Sequence, residues 1–162
     1  MKTCKICQKK KDIKKGWTCQ SCRTQSKPSY WKKRAWEKCS EYNRRKDVGS
    51  VGIGQCCTCP KYIAWQDGDA GHFQSGRGNA VLFYDKGIHL QCKKCNGPGN
   101  GEQYRYGIFI ENRYGKEEVE YQQNLKGKIV QYTAKDYKRI HDEYVEKIEL
   151  LDKLSEKRIM DI

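Results

Sequence analysis

The chain has 162 residues, of which 36% are apolar and 33% are charged, and its net charge is +13. This length suits one domain of ordinary size or a small module joined to one. No apolar run approaches the roughly 20 residues of a membrane-spanning helix, and the Lys-rich N-terminus lacks the hydrophobic stretch of a signal peptide, so we expect a cytoplasmic protein without membrane contact.

Residues 1–28 form the first predicted unit, a zinc ribbon or knuckle. Two C-x-x-C pairs are present, and four thiolates close a tetrahedral zinc site. The lack of an export signal favours metal binding over disulfides, which remain the alternative. The ligands of this zinc would be Cys4, Cys7, Cys19 and Cys22.

Residues 29–50 are predicted to form a basic helix, over residues 30–46, and a linker. Trp31, Ala35, Cys39 and Tyr42 recur at helical spacing and predict a packing face. Residues 1–50 contain 16 Lys or Arg against 4 Asp or Glu, so they hold nearly all of the excess charge. Such a surface attracts the phosphates of nucleic acid, although a solvated Lys-rich face is the alternative. The candidate DNA contacts on this helix are Lys32, Lys33, Arg34, Arg44 and Arg45.

Residues 51–126 are predicted to form a core held by a second zinc. Two short strands, near residues 69–74 and 87–91, enclose a glycine-containing loop over residues 75–86. A helical stretch over residues 102–126 is broken at Tyr114-Gly115. The zinc ligands would be Cys56, Cys59, Cys92 and Cys95, whereas Cys39 and Cys57, outside the pairs, are expected to be buried.

Residues 127–162 are predicted to form an amphipathic helix. Thr133-x-x-Asp136 resembles a capping box with Asp in place of the usual Glu or Gln. The apolar stripe that follows predicts a docking face, either on this chain or on a second copy. This stripe consists of Tyr137, Ile140, Tyr144, Ile148 and Leu151.

Four polar side chains, Asp69, His72, His89 and Asn96, lie within the second zinc unit. The zinc would tie the entry of the first strand to the start of a helix after the second strand, giving a ββ-plus-helix unit. A neutral His can take a proton from water, and a cation held by carboxylate and amide oxygens can stabilise the pentacovalent phosphate. These residue types favour metal-assisted hydrolysis of phosphodiesters.

The pattern C-x-x-C, Gly71-His72-Phe73, Ile88-His-x-Gln-Cys92-x-x-Cys95-Asn96 resembles the HNH (ββα-metal) nucleases. It is more closely similar to the lambda-type NinG (Rap) family, which are phage recombination endonucleases acting on branched DNA. The likeness covers roughly residues 29–155. It implies that His72 is the general base and that Asn96 takes the place of the final metal-binding His.

The resemblance also implies partners and a setting. The substrates would be Holliday junctions and D-loops in the host cytoplasm, and phage or host recombination proteins could be further partners. A resolvase must place two cuts symmetrically, so the C-terminal stripe could serve a homodimer.

The chain differs from the HNH pattern at two places. Gly71 stands where an acidic metal ligand usually precedes the base, and strand alternation puts the nearest carboxylate, Asp69, on the opposite face from His72 unless the strand bulges. The middle Asn of the signature would fall near Gly87, where it is missing, and Asn79 in the intervening loop is a candidate substitute. His89 is a metal ligand, a phosphate donor or a structural group, and Arg77 is a candidate phosphate contact.

The prediction is a small α+β protein held together by two zinc ions, with an HNH-like ββα-metal centre between an N-terminal zinc module and C-terminal helices. It would cleave DNA with one Mg²⁺ or Mn²⁺, bound by residues among Asp69, His89 and Asn96. Two alternatives stay open. One is a non-catalytic zinc protein that binds DNA or RNA, and the other is an HNH nuclease used for nicking, packaging or restriction.

Overall fold

The computed structural model describes residues 2–11, 18–49, 51–76, 78–98 and 100–160. Its architecture is α+β, as predicted, with three antiparallel strand pairs: β1 with β2, β3 with β4, and β5 with β6. In chain order the elements are β1 (Lys2–Thr3), β2 (Lys10–Lys11), α1 (Gln20–Gln25), α2 (Pro28–Arg45), β3 (Ile53–Gln55), β4 (Tyr62–Ala64), β5 (Asp69–His72), α3 (Asn79–Leu82), β6 (Ile88–Gln91), α4 (Lys93–Asn96), α5 (Gln103–Tyr114), α6 (Lys116–Leu125) and α7 (Ala134–Met160).

The two cysteine-rich units share one layout. In each, the first C-x-x-C pair lies in the loop of a strand pair, β1/β2 or β3/β4. The second pair begins at the residue that precedes a short helix, Cys19 before α1 and Cys92 before α4. These helices are short and have little apolar surface of their own, so a shared metal is the expected source of their stability.

The main core lies between α2, α7 and the β5/β6 pair. Ala35 and Cys39 of α2 pack against Tyr137, Ile140 and Tyr144 of α7, and Ala70 and Ile88 complete the cluster from the strands. Burying a large apolar side chain contributes roughly 1.5–3 kcal/mol, so this contact is a major part of the fold. The predicted stripe of the C-terminal helix therefore docks within this chain, which was one of its two predicted partners.

Helix α7 begins at the predicted capping box. The backbone N–H and the hydroxyl of Thr133 donate to Oδ2 of Asp136 at 2.9 and 2.7 Å, and the Asp136 N–H donates back to Thr133 Oγ1 at 3.2 Å. An Asp at the fourth position can therefore close the box, because its shorter side chain still reaches the capping residue.

A second cluster joins α5 to the strands. Phe73, Tyr106 and Ile110 are buried together, and the Tyr106 hydroxyl donates to the Gly71 carbonyl at 2.7 Å. The predicted break after α5 is confirmed at Gly115, whose φ of +93° suits a residue without a Cβ.

Two local elements differ from the sequence prediction. The β3/β4 pair was not predicted, since its strands have only three residues each. The loop predicted over residues 75–86 contains the single turn of α3, which places Leu82 beside β5. Within the described residues, no helix combines the length and the apolar character needed to cross a bilayer.

Candidate functional site

The eight paired cysteines come together as two groups of four, in each of which the ligand atoms all lie within 4.8 Å of one another. Sγ atoms of Cys7 and Cys19 are 3.9 Å apart, as are those of Cys59 and Cys92. Sulfurs on a tetrahedral zinc with Zn–S bonds of about 2.3 Å are separated by about 3.8 Å, so each group could hold a zinc ion. All ten cysteine thiols are free in the structure, so neither group of four is arranged as disulfide pairs.

Hydrogen bonds favour the thiolate form of Cys4 and Cys19 in the first group and of Cys56 in the second. The Cys19 N–H donates to Cys4 Sγ at 3.3 Å, and this bond is the largest of the effects that lower the pKa of Cys4 to about 6. A hydrogen bond from the Cys57 thiol is the main cause that lowers the pKa of Cys56 to about 3. Burial raises the pKa of Cys57, so that thiol keeps its proton and donates it. Burial and neighbouring thiols raise the pKa of other members of the groups, to about 12 for Cys22 and Cys95. Zinc binds thiolates, so Cys4 and Cys56 already favour the ligand form, whereas Cys22 and Cys95 would have to lose a proton when the metal binds.

Asp69 and Asn96 form a pair of polar side chains at the edge of the second zinc unit. Asp69 is the first residue of β5 and Asn96 is the last residue of α4, and the Asn96 amide donates to Asp69 Oδ2 at 3.0 Å. Both side chains are half-buried. They line a surface cavity of about 300 Å³ together with Trp36, Ser40, Arg44, Gly68 and Ala70. The predicted partners Asp69 and Asn96 are thus brought together, in contact with α2.

His72 lies at the opposite end of β5. Its ring stacks on Trp36, with centroids 5.0 Å apart and 24° between the planes, and its Nε2 is 3.3 Å from the Leu82 carbonyl oxygen. Because a carbonyl oxygen only accepts, Nε2 is the donor in this contact. In the neutral imidazole the lone pair is then on Nδ1.

Strand β5 does not bulge between Asp69 and His72. The register with β6 is regular from Asp69 opposite Gln91 to His72 opposite Ile88. The two side chains therefore leave opposite faces of the strand pair, as alternation predicts. Trp36 connects them, because its indole stacks on His72 and also lines the cavity of Asp69 and Asn96.

The structure does not bring His89 to this cavity. The ring is fully buried, with Nδ1 2.7 Å from Asp47 Oδ2 and Nε2 3.2 Å from the Lys86 carbonyl and 3.3 Å from the Tyr114 hydroxyl. Burial lowers the pKa of His89, against the opposing effect of Asp47. Both ring nitrogens have protein partners, so we correct the prediction that His89 binds the catalytic cation or a phosphate. The residue instead ties β6 to the end of α2.

Asn79, the suggested substitute for the missing Asn, also has a structural position. Its amide donates to the Val130 carbonyl at 2.8 Å, and its oxygen accepts from the Tyr137 hydroxyl at 2.9 Å. These bonds hold α3 against the entry to α7. Arg77, the predicted phosphate contact in the same loop, lies outside the described residues.

The cationic side chains of α2 fall into two groups. Towards the C-terminal end, Arg44 donates to the carbonyls of Trp65 and Gly68 at 3.0 and 3.4 Å, and Arg45 forms ion pairs with Glu41 and Asp152. These two guanidinium groups are engaged in contacts within the protein, so they are less suited to binding DNA phosphates than the predictions assumed.

In the N-terminal half, Lys33 and Arg34 are exposed and Lys32 is half-buried. The only ion pair seen for Lys33 in the described part of the chain is a 4.0 Å contact with Glu37. Exposed pairs of this kind are weak, so these three cations suit an electrostatic contact with a polyanion.

Sequence reasoning missed three residues that shape the site. Trp36 contacts His72 and borders the cavity, and Asp47 holds His89. Gln91 joins the second cysteine-rich unit to the turn before α5, because its amide donates to Thr58 Oγ1 at 3.0 Å and to the Gly101 carbonyl at 2.9 Å. Two features of the sequence could have pointed to them: Trp36 lies off the packing stripe of α2, and Asp47 is an isolated acidic residue at the end of a basic segment.

Comparison with known proteins places this chain in a family. A family model described as Bacteriophage Lambda NinG protein matches residues 1–156. The chain belongs to the NinG family. It is 28% identical to the NinG protein of Escherichia phage lambda over 121 residues, which cover 74% of this chain and 56% of that protein. It is 29% identical to NinG of Salmonella phage P22 over 130 residues, covering 79% and 61%, and 31% identical to NinG of Escherichia phage 933W over 93 residues, covering 57% and 44%.

The chain thus spans about half the length of the NinG relatives it matches. The predicted resemblance to the NinG family is confirmed by these matches. No solved structure matches the chain.

Proposed function

We propose that this chain is a metal-dependent DNA endonuclease whose centre is formed by Asp69, His72 and Asn96. The observation that carries the proposal is the Asp69–Asn96 pair, a carboxylate and an amide 3.0 Å apart on the wall of an open cavity. Mg²⁺ and Mn²⁺ prefer oxygen ligands, and Mg²⁺ sites commonly use one or two carboxylates together with waters and substrate phosphates.

The order of elements supports this assignment. An antiparallel strand pair, β5/β6, runs directly into the short helix α4, which is the strand–strand–helix order of ββα-metal nucleases. The cysteine group around α4 fixes the start of that helix, and therefore fixes Asn96 relative to Asp69. Catalytic groups on elements held in this way keep their geometry better than groups on loops.

His72 would act as the general base in this centre. The Leu82 carbonyl holds the ring through Nε2, so Nδ1 is the nitrogen that accepts a proton from water. Stacking on Trp36 fixes the plane of the ring. When bound by Asp69 and Asn96, a divalent cation supplies stabilisation of the charge that develops on the phosphate and the leaving oxygen.

The charge on α2 supports DNA as the substrate. Lys32, Lys33 and Arg34 lie within about one turn before Trp36 on the helix that borders the proposed centre. We propose branched DNA as the preferred form, on the basis of the resemblance to recombination endonucleases. A homodimer would let two centres cut symmetrically, but it would need a surface other than the α7 stripe, which α2 covers.

The decisive experiment compares His72→Ala with the wild-type chain in Mg²⁺ or Mn²⁺. A positioned base is worth about 10²–10⁴-fold in rate, so we expect cleavage to fall by that factor while DNA affinity changes little. His141→Ala is a matched control, because His141 also contacts a tryptophan ring, Trp31, and is remote from Asp69 in the sequence. Full activity in His72→Ala would refute the proposed centre.

A substrate panel separates this proposal from other nuclease uses. Linear duplex, nicked, flap and four-way DNA would each be incubated with the protein under the same conditions and at equal phosphate concentration, and the rates of cleavage compared. Faster cleavage of the flap and four-way forms is expected for a recombination enzyme. Equal rates on linear duplex would favour a nicking, packaging or restriction enzyme instead.

A non-catalytic protein that binds DNA or RNA is the second candidate. It is favoured by Gly71, which offers no ligand beside His72, and by the opposite faces of Asp69 and His72. Tight DNA binding with no cleavage in any divalent cation would identify this function.

A further inference from the structure

A second cavity also borders Trp36. It has a volume of about 350 Å³ and lies between the N-terminal half of α2 and the end of α3. Its lining residues are Ser29, Lys32, Lys33, Trp36 and Leu82. The four residues of α2 follow one another at helical spacing, so they share one face, distinct from the Ala35–Cys39 stripe that α7 covers.

Two residues that line this groove, Trp36 and Leu82, also contact His72, the proposed general base. The Trp36 indole stacks on the His72 ring, and the Leu82 carbonyl accepts the hydrogen bond from His72 Nε2. A group bound in the groove would therefore lie one side chain away from His72.

The groove combines a flat aromatic wall with two cations. Its lining includes two apolar side chains, Trp36 and Leu82, and two cationic side chains, Lys32 and Lys33. The Lys33 side chain is 81% exposed. Proteins that bind single-stranded nucleic acid use this combination, with bases stacked on aromatic rings and phosphates near Lys or Arg.

We propose that this groove binds one unpaired nucleobase of the DNA substrate, stacked on Trp36, with the neighbouring phosphates against Lys32 and Lys33. The proposal rests on the proposed function and names its substrate more closely, as DNA with unpaired nucleotides beside the cleaved bond. A base inside a duplex is stacked between its neighbours and must be extruded at a cost of a few kcal/mol, whereas a flap or a D-loop supplies unpaired bases at no such cost. The groove thereby gives a physical reason for preferring flaps and D-loops to linear duplex.

The first test measures binding without Mg²⁺, Mn²⁺ or chelator, so that zinc stays bound and nothing is cleaved. Fluorescence anisotropy would compare a labelled oligothymidine with a duplex of equal phosphate number. Stacking is worth about 1–3 kcal/mol per base, so Trp36→Leu should weaken single-strand binding about 5- to 150-fold, and Trp36→Phe should weaken it less. Duplex affinity should change less than about twofold if the loss is confined to stacking.

Trp65→Leu is the matched control, because Trp65 also touches cationic side chains of α2 but lies outside the groove. Equal loss for single strand and duplex in Trp36→Leu, or no loss for either, would overturn the proposal.

The second test does not depend on the folding of any variant. Oligothymidine carrying 5-iodouracil would be photo-cross-linked to the wild-type chain, and the modified residue identified by mass spectrometry. The expected product is a cross-link at Trp36. Cross-links confined to other aromatic residues, such as the exposed Tyr62 or Tyr104, would place the strand elsewhere and leave the groove to a protein contact, which also overturns the proposal.

The two proposals fail in different ways. Cross-linking at Trp36 without any cleavage would refute the nuclease and keep the groove. Cleavage that depends on His72, with no cross-link at Trp36, would refute the groove and keep the nuclease.

Discussion

Replacing Asn96 with Asp tests whether the Asp69–Asn96 pair is a cation site or a structural hydrogen bond. The change removes an amide that donates to Asp69 at 3.0 Å and puts a second carboxylate in its place. Two unit charges at that distance repel by about 1.4 kcal/mol in bulk water and by about 5.5 kcal/mol at an effective dielectric constant of 20. Because both side chains are half-buried and can move apart, we expect a loss of about 2 kcal/mol in the free energy of unfolding.

Divalent metal should reverse this loss. A ligand that binds only the folded state at one hundred times its dissociation constant stabilises that state by about 2.7 kcal/mol. Two carboxylates bind Mg²⁺ better than a carboxylate and an amide, so Asn96→Asp should gain more stability from Mg²⁺ than the wild-type chain does. Mg²⁺ is the suitable probe, because it does not compete with zinc for thiolates.

The assay is urea unfolding with and without millimolar Mg²⁺, followed by circular dichroism. Asn124→Asp is the matched control, because Asn124 is exposed on α6 and the same charge change there should shift stability by no more than about 0.5 kcal/mol. Destabilisation of Asn96→Asp that Mg²⁺ leaves unchanged would show that the pair is a structural hydrogen bond only. The reasoning also fails if Asn96→Asp is as stable as the wild-type chain without metal.

Three further outcomes are expected. Cys92→Ala/Cys95→Ala should lower the metal content from two zinc ions per chain to one and unfold the centre, because zinc binding supplies folding energy. Metal analysis and circular dichroism would measure these changes, and an intact fold would contradict the prediction. Deleting residues 1–24 removes eight Lys or Arg, so DNA affinity and its salt dependence should both fall. The deletion keeps Gln25, whose carbonyl accepts a hydrogen bond from Trp31 Nε1. An unchanged salt slope would exclude the N-terminal module as a DNA contact. Burial opposes ionisation of Asp85, but hydrogen bonds from Lys147 and Tyr144 outweigh it and hold the pKa of this carboxyl below its usual 3.8. The carboxylate therefore stabilises the fold above about pH 4, and this contribution is lost on acidification. Asp85→Asn should flatten the acid limb of a curve of stability against pH, and an unaltered limb would refute this role.

Local sequence signals predicted the elements whose determinants are close together in the chain. The cysteine spacing gave both groups of four, because a tetrahedral metal site constrains ligand types and gaps. The capping box at Thr133 and the break at Gly115 were predictable for the same reason, since each depends on a few neighbouring residues. Helix α2 also follows its predicted bounds to within two residues at the start.

The surroundings of the polar side chains were not predictable in this way. The sequence left His89 as a metal ligand, a phosphate donor or a structural group, and the choice depends on Asp47, forty-two positions earlier, which reaches its Nδ1, and on α5, which packs over its ring. Trp36 gained its role only from the packing of α2 against β5. Such contacts depend on tertiary arrangement, and periodicity along a single segment carries no information about which distant group will fill a buried position.

The packing of α7 along α2 has a consequence for the order of folding events. Residues 46–133, which include β3 to α6, separate the two helices, so we expect this contact between distant segments to form late in folding. Before α7 packs on α2, the apolar stripe of α2 lacks this cover, and the helix that contains Trp36 lacks the contacts with α7 that hold it in position. We therefore expect a newly synthesised chain to be able to bind metal at its cysteine groups before the packing of α7 on α2 holds Trp36 and His72 in place.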